Sequence, residues 1–289
     1  MSKKLEIYQI DAFTNHPFMG NPAAVLFGDG LRKKEMQLIA REMNLAETAF
    51  ISKTKKKANY NLRWFTPAME VDLCGHATIA SLHFLNEHNL LKNNSEIKFD
   101  TLSGILKCKF EEGKYYMQIP IFNMKKYPGK INNAFKALGI SSKESDNNIP
   151  ALILDNGYLY IYIKKLKTVK ELNPDFKAIA ELYTTNKVEG IVVYTKETFY
   201  KNSFAHIRFF APYYGINEDP VTGSANGPLI LVLFKVGFIK DKKQTYSFTF
   251  EQGDCINRKG RIGVHYTPLK NELFISGKAT TVLKGEINF

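Results

Sequence analysis

One internal repeat constrains this chain more than any other feature of its sequence. Arg63-Trp64-Phe65-Thr66-Pro67 leads to Asp72-Leu73-Cys74-Gly75-His76-Ala77, and Arg208-Phe209-Phe210-Ala211-Pro212 leads to Asp219-Pro220-Val221-Thr222-Gly223-Ser224-Ala225. Both copies read strand, proline turn, aspartate, glycine, helix. They are offset by 145 residues at the arginines (63 to 208) and by 148 at the glycines (75 to 223), about half of the 289-residue chain. At roughly 150 residues per domain the length suggests two domains, and the repeat makes them two versions of one design. We set them at 1–121 and 122–289, with a linker in the Asn-, Ser-, Gly- and Lys-rich stretch 122–150. The last strand is free to return to the first domain.

Alternating and short apolar runs predict strands over 5–10, 23–27, 59–65, 105–110 and 115–119, then over 159–163, 190–194, 204–210, 245–251, 260–266 and 272–276. Helical spacing predicts helices over 32–44, 132–138 and 174–182. After the repeated glycines, 77–86 has a wide apolar surface and 228–234 has no polar residue. Pro228 suits the first turn of the second of these helices, and Gly237 its exit. A helix apolar on every side must be surrounded by protein. The expected fold is therefore α+β: two pseudo-symmetric domains, each a curled, mostly antiparallel sheet wrapped around a central buried helix.

Composition narrows the function classes. The formal charge is +12, from 40 basic and 28 acidic residues. The lysines are scattered, and the one cluster, 53–57, lacks interleaved aromatics, so no nucleic-acid role is expected. Cys74, Cys108 and Cys255 form no CxxC and no even framework, which suits a reducing cytoplasm and offers no metal cluster. The N-terminus reads as a strand rather than a signal sequence, and no apolar run approaches the roughly 20 residues that cross a bilayer. A soluble, cytoplasmic protein without membrane partners is the expectation.

Chemistry concentrates at the two helix starts. Unpaired amides and partial positive charge at a helix N-terminus bind carboxylates and phosphates, and glycine lets a ligand approach the backbone. Were both starts to face one cleft, Gly75, His76, Gly223 and Ser224 would hold a small anion there. Asp72 and Asp219 precede the helices, where an aspartate is more often a cap than a catalyst. At its helix start His76 is expected to be a neutral, hydrogen-bonding ring. Glu47 stands among small and apolar neighbours in Asn44-Leu45-Ala46-Glu47-Thr48-Ala49-Phe50. Desolvation there favours the proton-carrying form that a general acid/base needs.

Five ordered segments carry a family resemblance: Asp11-Ala12-Phe13, Gly20-Asn21-Pro22-Ala23-Ala24-Val25, the Glu47 segment, Cys74-Gly75-His76-Ala77-Thr78, and Asp219-Pro220-Val221-Thr222-Gly223-Ser224-Ala225. Together they resemble the phenazine-biosynthesis isomerase-like (PhzF) family along nearly the whole chain. The resemblance implies a diaminopimelate-epimerase-like fold, a homodimer, and a cofactor-free site between the domains. It carries catalytic roles to Glu47, His76 and Asp219, and substrate contacts to Gly75, Gly223 and Ser224. Epimerases of that fold use two facing cysteines. Here Cys74 has Thr222 as its counterpart, so the thiol pair is absent and Cys74 reads as a packing or supporting residue.

The expected activity is cofactor-independent isomerisation of a small carboxylate, with Glu47 moving a proton between carbons. A two-base racemase or epimerase of a small amino or hydroxy acid, with Asp219 as second base, is the enzymatic alternative. An inactive small-ligand binding protein is the other, and the presence of Glu47, His76 and Asp219 together argues against it.

Overall fold

The computed structural model describes residues 4–288 and divides the chain into two compact units, Met1–Gln118 with Phe274–Phe289, and Ile119–Leu273. In the first unit, β1 (Lys4–Ala12) pairs antiparallel with β2 (Asn21–Phe27). The helix α1 (Lys33–Met43) then crosses to β3 (Glu47–Ser52), parallel to β2. β4 (Tyr60–Phe65) runs antiparallel to β3 and turns into the short β5 (Glu70–Val71). The second crossover is α2 (Gly75–Glu87), which returns to β6 (Ser95–Thr101), parallel to β4. Antiparallel β7 (Gly104–Glu111) and β8 (Lys114–Ile119) follow.

The second unit repeats that order. β9 (Met124–Lys126) and α3 (Ile131–Leu138) precede antiparallel β10 (Leu152–Leu154) and β11 (Tyr158–Tyr162). Two helices, α4 (Leu166–Glu171) and α5 (Phe176–Asn186), cross to β12 (Gly190–Thr195), parallel to β11. β13 (Ala205–Ala211) is antiparallel to β12 and turns into β14 (Ile216–Asp219). The crossover α6 (Gly223–Lys235) leads to β15 (Tyr246–Gln252), parallel to β13, and then to antiparallel β16 (Gly260–Thr267). β17 (Glu272–Gly277) straddles the division of the chain, and β18 (Ala279–Asn288) pairs with β1 in the first unit.

Strand alternation sorts side chains between two helical layers. Ala24, Leu26, Phe50 and Phe65 pack with Met36, Ile39 and Ala40 of α1, while Tyr8 and Phe27 meet Phe84 of α2 on the other face. Likewise Leu159, Ile161, Ile191, Val193 and Phe210 pack under α3, α4 and α5, and the Tyr160 hydroxyl donates to the Ala225 carbonyl of α6 at 2.8 Å. Ten of the 13 residues of α2 and nine of the 13 of α6 are buried. The α+β reading with a central helix in each unit therefore holds.

The repeat reaches the side chains. Arg63 makes two hydrogen bonds to Glu70, at 2.6 and 2.9 Å, and Arg208 two to Glu218, at 2.8 and 2.7 Å. The pairs are 7 and 10 residues apart in sequence, so the longer turn at Pro212–Tyr214 accounts for the three-residue change in offset.

Three expectations change. The stretch 122–150 is no free linker: Ala134, Phe135, Ala137 and Leu138 are built into the core beneath α3. Pro228 lies in the second turn of α6, because the helix begins at Gly223. Burial carries Gly-Ser-Ala-Asn-Gly into a helix that its propensities disfavour, and Pro228 denies the Ser224 carbonyl its regular helical donor. The strands β3, β5, β6, β9, β10, β14 and β18 and the helix α4 were not expected; β18 is half-exposed along its length and has no apolar run to announce it. Among the described residues no helix is long and apolar enough to cross a membrane.

Candidate active site

Glu47 opens β3, opposite Ala23 of β2. Thr48 and Phe50 share the other face, and Phe50 packs against α1, so alternation turns Glu47 towards α2. His76 is the second residue of α2 and is buried, with 4% of its surface exposed. Its Nε2 lies 3.1 Å from Glu47 Oε2. The two atoms are close enough to attract as an ion pair but out of line for a hydrogen bond, so each keeps hydrogen-bonding capacity unused in a buried setting.

On the other side of the ring, Nδ1 lies 3.5 Å from Cys74 Sγ. Burial first, and then the Glu47 carboxylate, push the Cys74 thiol up to about 11, so it remains protonated at neutral pH. Burial opposes a charged His76, but Cys74 and Glu47 outweigh it and raise the imidazole well above the ordinary histidine value. That direction runs against the neutral ring expected of a helix start.

Neither aspartate caps its helix. The N-caps are Cys74 and Thr222, and neither places its side chain as a cap. Asp72 is exposed, while Asp219 is buried at the end of β14. The Thr222 hydroxyl donates to Asp219 Oδ2. Gln252, at the end of β15, accepts from the Thr222 backbone N–H at 2.8 Å and donates to the Asp219 carbonyl at 2.8 Å. Beside them Ser224 Oγ lies 3.4 Å from the Tyr158 hydroxyl.

Each unit therefore gathers its own group of expected residues: Glu47, Gly75 and His76 in the first, Asp219, Gly223 and Ser224 in the second. Gln252, Asn226 and Tyr158 were not foreseen. Gln252 reaches the group through the parallel pairing of β13 with β15, which leaves no local sequence signal.

Two side-chain clusters could in principle take a metal, Glu47 with Cys74 and His76, and His206 with Glu251 and Asp254. In the first, one ligand atom from each residue lies within 4.8 Å of the others, with a thiol that stays protonated at neutral pH. In the second, Glu251 accepts the Phe199 and Tyr200 amides and Asp254 is gripped by Arg261, which occupies the oxygens a cation would need. The second donor set, already committed to amides and a guanidinium, fits a resident ion poorly.

The family model described as "Phenazine biosynthesis-like protein" matches residues 10–285. An uncharacterized isomerase of Clostridium acetobutylicum is 37% identical, with 99% of each chain covered. The crystal structure of a PhzF-family phenazine biosynthesis protein of Bacillus anthracis superposes with a TM-score of 0.91 at 28% identity, covering 99% of both chains. A predicted epimerase of Pseudomonas aeruginosa shares the fold at 18% identity, with a TM-score of 0.79 over 98% of this chain and 99% of that one.

Proposed function

This chain belongs to the phenazine biosynthesis-like family, several of whose relatives are named uncharacterized isomerases, and on that premise we propose that it moves a proton between carbons of a small carboxylate without a cofactor. Glu47 takes the proton from one carbon and returns it to another. Gly75, Gly223 and Ser224 bind the substrate carboxylate, or the enolate-like charge conjugated with it, through their amides and the Ser224 hydroxyl. His76 and Asp219 orient the substrate or relay the proton. Substrate would sit in a cleft shared by the two domains, and the chain would act as a homodimer. Its three free cysteines suit a reducing cytoplasm.

The observation that carries this reading is the Glu47–His76 pair. A carboxylate and an imidazole stand 3.1 Å apart at a buried helix start, each with an unused hydrogen-bonding atom. Carbon acids need a base within reach and preformed donors for the developing charge; an oriented donor of this kind contributes about 3–4 kcal/mol. Helix starts whose cap side chains are turned elsewhere supply such donors.

The test is exchange in deuterated water across a panel of small unsaturated, amino and hydroxy acids, followed by proton NMR. The wild type is expected to wash deuterium into at least one of them without inverting a stereocentre. Glu47→Gln is expected to lower that exchange by about 10³-fold or more with an unchanged circular dichroism spectrum. Equal exchange in the variant removes Glu47 from the mechanism, and inversion at a stereocentre replaces migration with a two-base reaction.

A further inference from the structure

Gln252 has no part in the chemistry just described, yet it is almost completely buried and its carboxamide meets four groups at the α6 start. Oε1 accepts from the Thr222 backbone N–H at 2.8 Å and from Asn226 Nδ2 at 2.7 Å. Nε2 donates to the Asp219 backbone carbonyl at 2.8 Å and to Thr222 Oγ1 at 3.0 Å. The orientation of the amide is fixed twice, since a backbone N–H can face only its oxygen and a backbone carbonyl only its nitrogen.

Direction then passes along the chain of bonds. Thr222 Oγ1 accepts from Gln252, so its own hydrogen points to Asp219 Oδ2. An oxygen receiving that hydrogen cannot carry a proton facing it, and a hydrogen bond to an ionised carboxylate is the stronger form. We propose that Gln252 is a positioning residue which, through the Thr222 hydroxyl, holds Asp219 as an ionised hydrogen-bond acceptor beside the Gly223–Ser224 turn.

The device belongs to one repeat only. Register sets Phe99 of β6 against Tyr60 and Phe250 of β15 against Ala205, so the residue equivalent to Gln252 in the first unit is Thr101. The Thr101 hydroxyl closes its own turn onto the Gly104 carbonyl at 2.8 Å. A generic requirement of the fold would have kept the amide in both places.

The proposal rests on the reading of Asp219 as a site residue, but its test follows the carboxyl group and not turnover. Asp219 is titrated by carbon-13 NMR in the full-length wild type, Gln252→Met, Thr222→Val and the double variant. Gln252→Met is expected to raise the proton affinity of Asp219 at least tenfold, Thr222→Val to raise it similarly, and the double variant to go no further. Thr222→Ser, which restores the hydroxyl, is expected to restore the wild-type titration. An unchanged Asp219 titration in Gln252→Met, or a rise of the same size in the Thr222→Val background, overturns the proposal. Should Gln252→Met fail to fold, Gln252→Glu replaces it. That substitution adds a charge, so support then requires a rise at least tenfold larger with Thr222 present than in the Thr222→Val background, and equal rises overturn it. Loss of deuterium exchange with an unmoved Asp219 titration would refute the Gln252 role and leave the isomerase reading standing.

Discussion

The starts of α2 and α6 occupy equivalent places in the repeat and are built for different work. At both, the N-cap side chain abandons the cap and turns to an acid–base group: Cys74 to His76, Thr222 to Asp219. At α2 the result is a cluster of thiol, imidazole and carboxylate in which two facing atoms, His76 Nε2 and Glu47 Oε2, keep unused capacity. At α6 the Thr222 amide, its hydroxyl and the Asp219 carbonyl are all engaged with Gln252 or with each other. Duplication kept the scaffold, and the chemistry diverged on it. The first start leaves facing atoms uncommitted, and the second commits its groups to one another.

The turns that follow the returning strands offer the sharpest way to break that contrast. Gly253 comes just after Gln252 with φ +85°, and a Cβ there would fall 2.2 Å from the Arg258 carbonyl oxygen and 2.8 Å from that of Pro220. Gly104 closes the turn after β6 with φ +95° and has open space around it. Gly253→Ala is expected to destabilise by about 3 kcal/mol or more, combining backbone strain with a steric clash. Gly104→Ala carries the conformational term alone, about 1–2 kcal/mol. Urea denaturation of both variants checks the order. Equal losses would mean that the α6 side is no more tightly held than the α2 side.

The repeated arginines probe the same asymmetry more gently. Arg208 grips Glu218 and also donates to the carbonyls of Val169, at 2.9 Å, and Leu172, at 3.3 Å, closing the C-terminal end of α4. Among the described residues Arg63 grips one carboxylate, Glu70, which keeps a second cation, Lys33, at 2.7 Å. Lysine cannot reproduce a planar bidentate fork. Arg208→Lys is therefore expected to cost about 2–3 kcal/mol, and Arg63→Lys about 1 kcal/mol, read as shifts in thermal midpoint.

Much of this was legible in the sequence for a physical reason. The repeat, the wholly apolar helices and the alternation of β1, β2, β4 and β13 are local patterns, and Glu47 stood out because its neighbours are apolar. The Glu47–His76 contact joins two segments through the parallel pairing of β2 with β3 and the packing of α2 on that sheet. Only the family resemblance hinted at it. Gln252 was invisible because a polar residue at a strand end is ordinary until β13 and β15 are known to pair. The start of α6 was misjudged because Pro228 draws the eye to a first turn, whereas burial of Gly223, Ala225 and Asn226 sets the true one.

The smallest expected effect concerns the imidazole proton. The His76 pKa is raised above its ordinary value in the folded chain, so folding strengthens proton binding there. Stability from that source is fully present below the unfolded histidine value of about 6.5, and it is lost as pH rises through the higher folded value. Below pH 9 the Cys74 thiol, pushed up to about 11, stays neutral, which leaves Glu47 as the charged group that favours the imidazolium. The stability advantage of the wild type over Glu47→Gln should accordingly be greatest near pH 6 and narrow towards pH 9, in urea denaturation at matched ionic strength. Asp219→Asn should show no such narrowing over this range, because its neighbours Thr222 and Gln252 do not titrate there. An advantage that did not narrow with pH would remove the imidazolium from the pair, and would make the α2 start, like the α6 start, a holder of one fixed state.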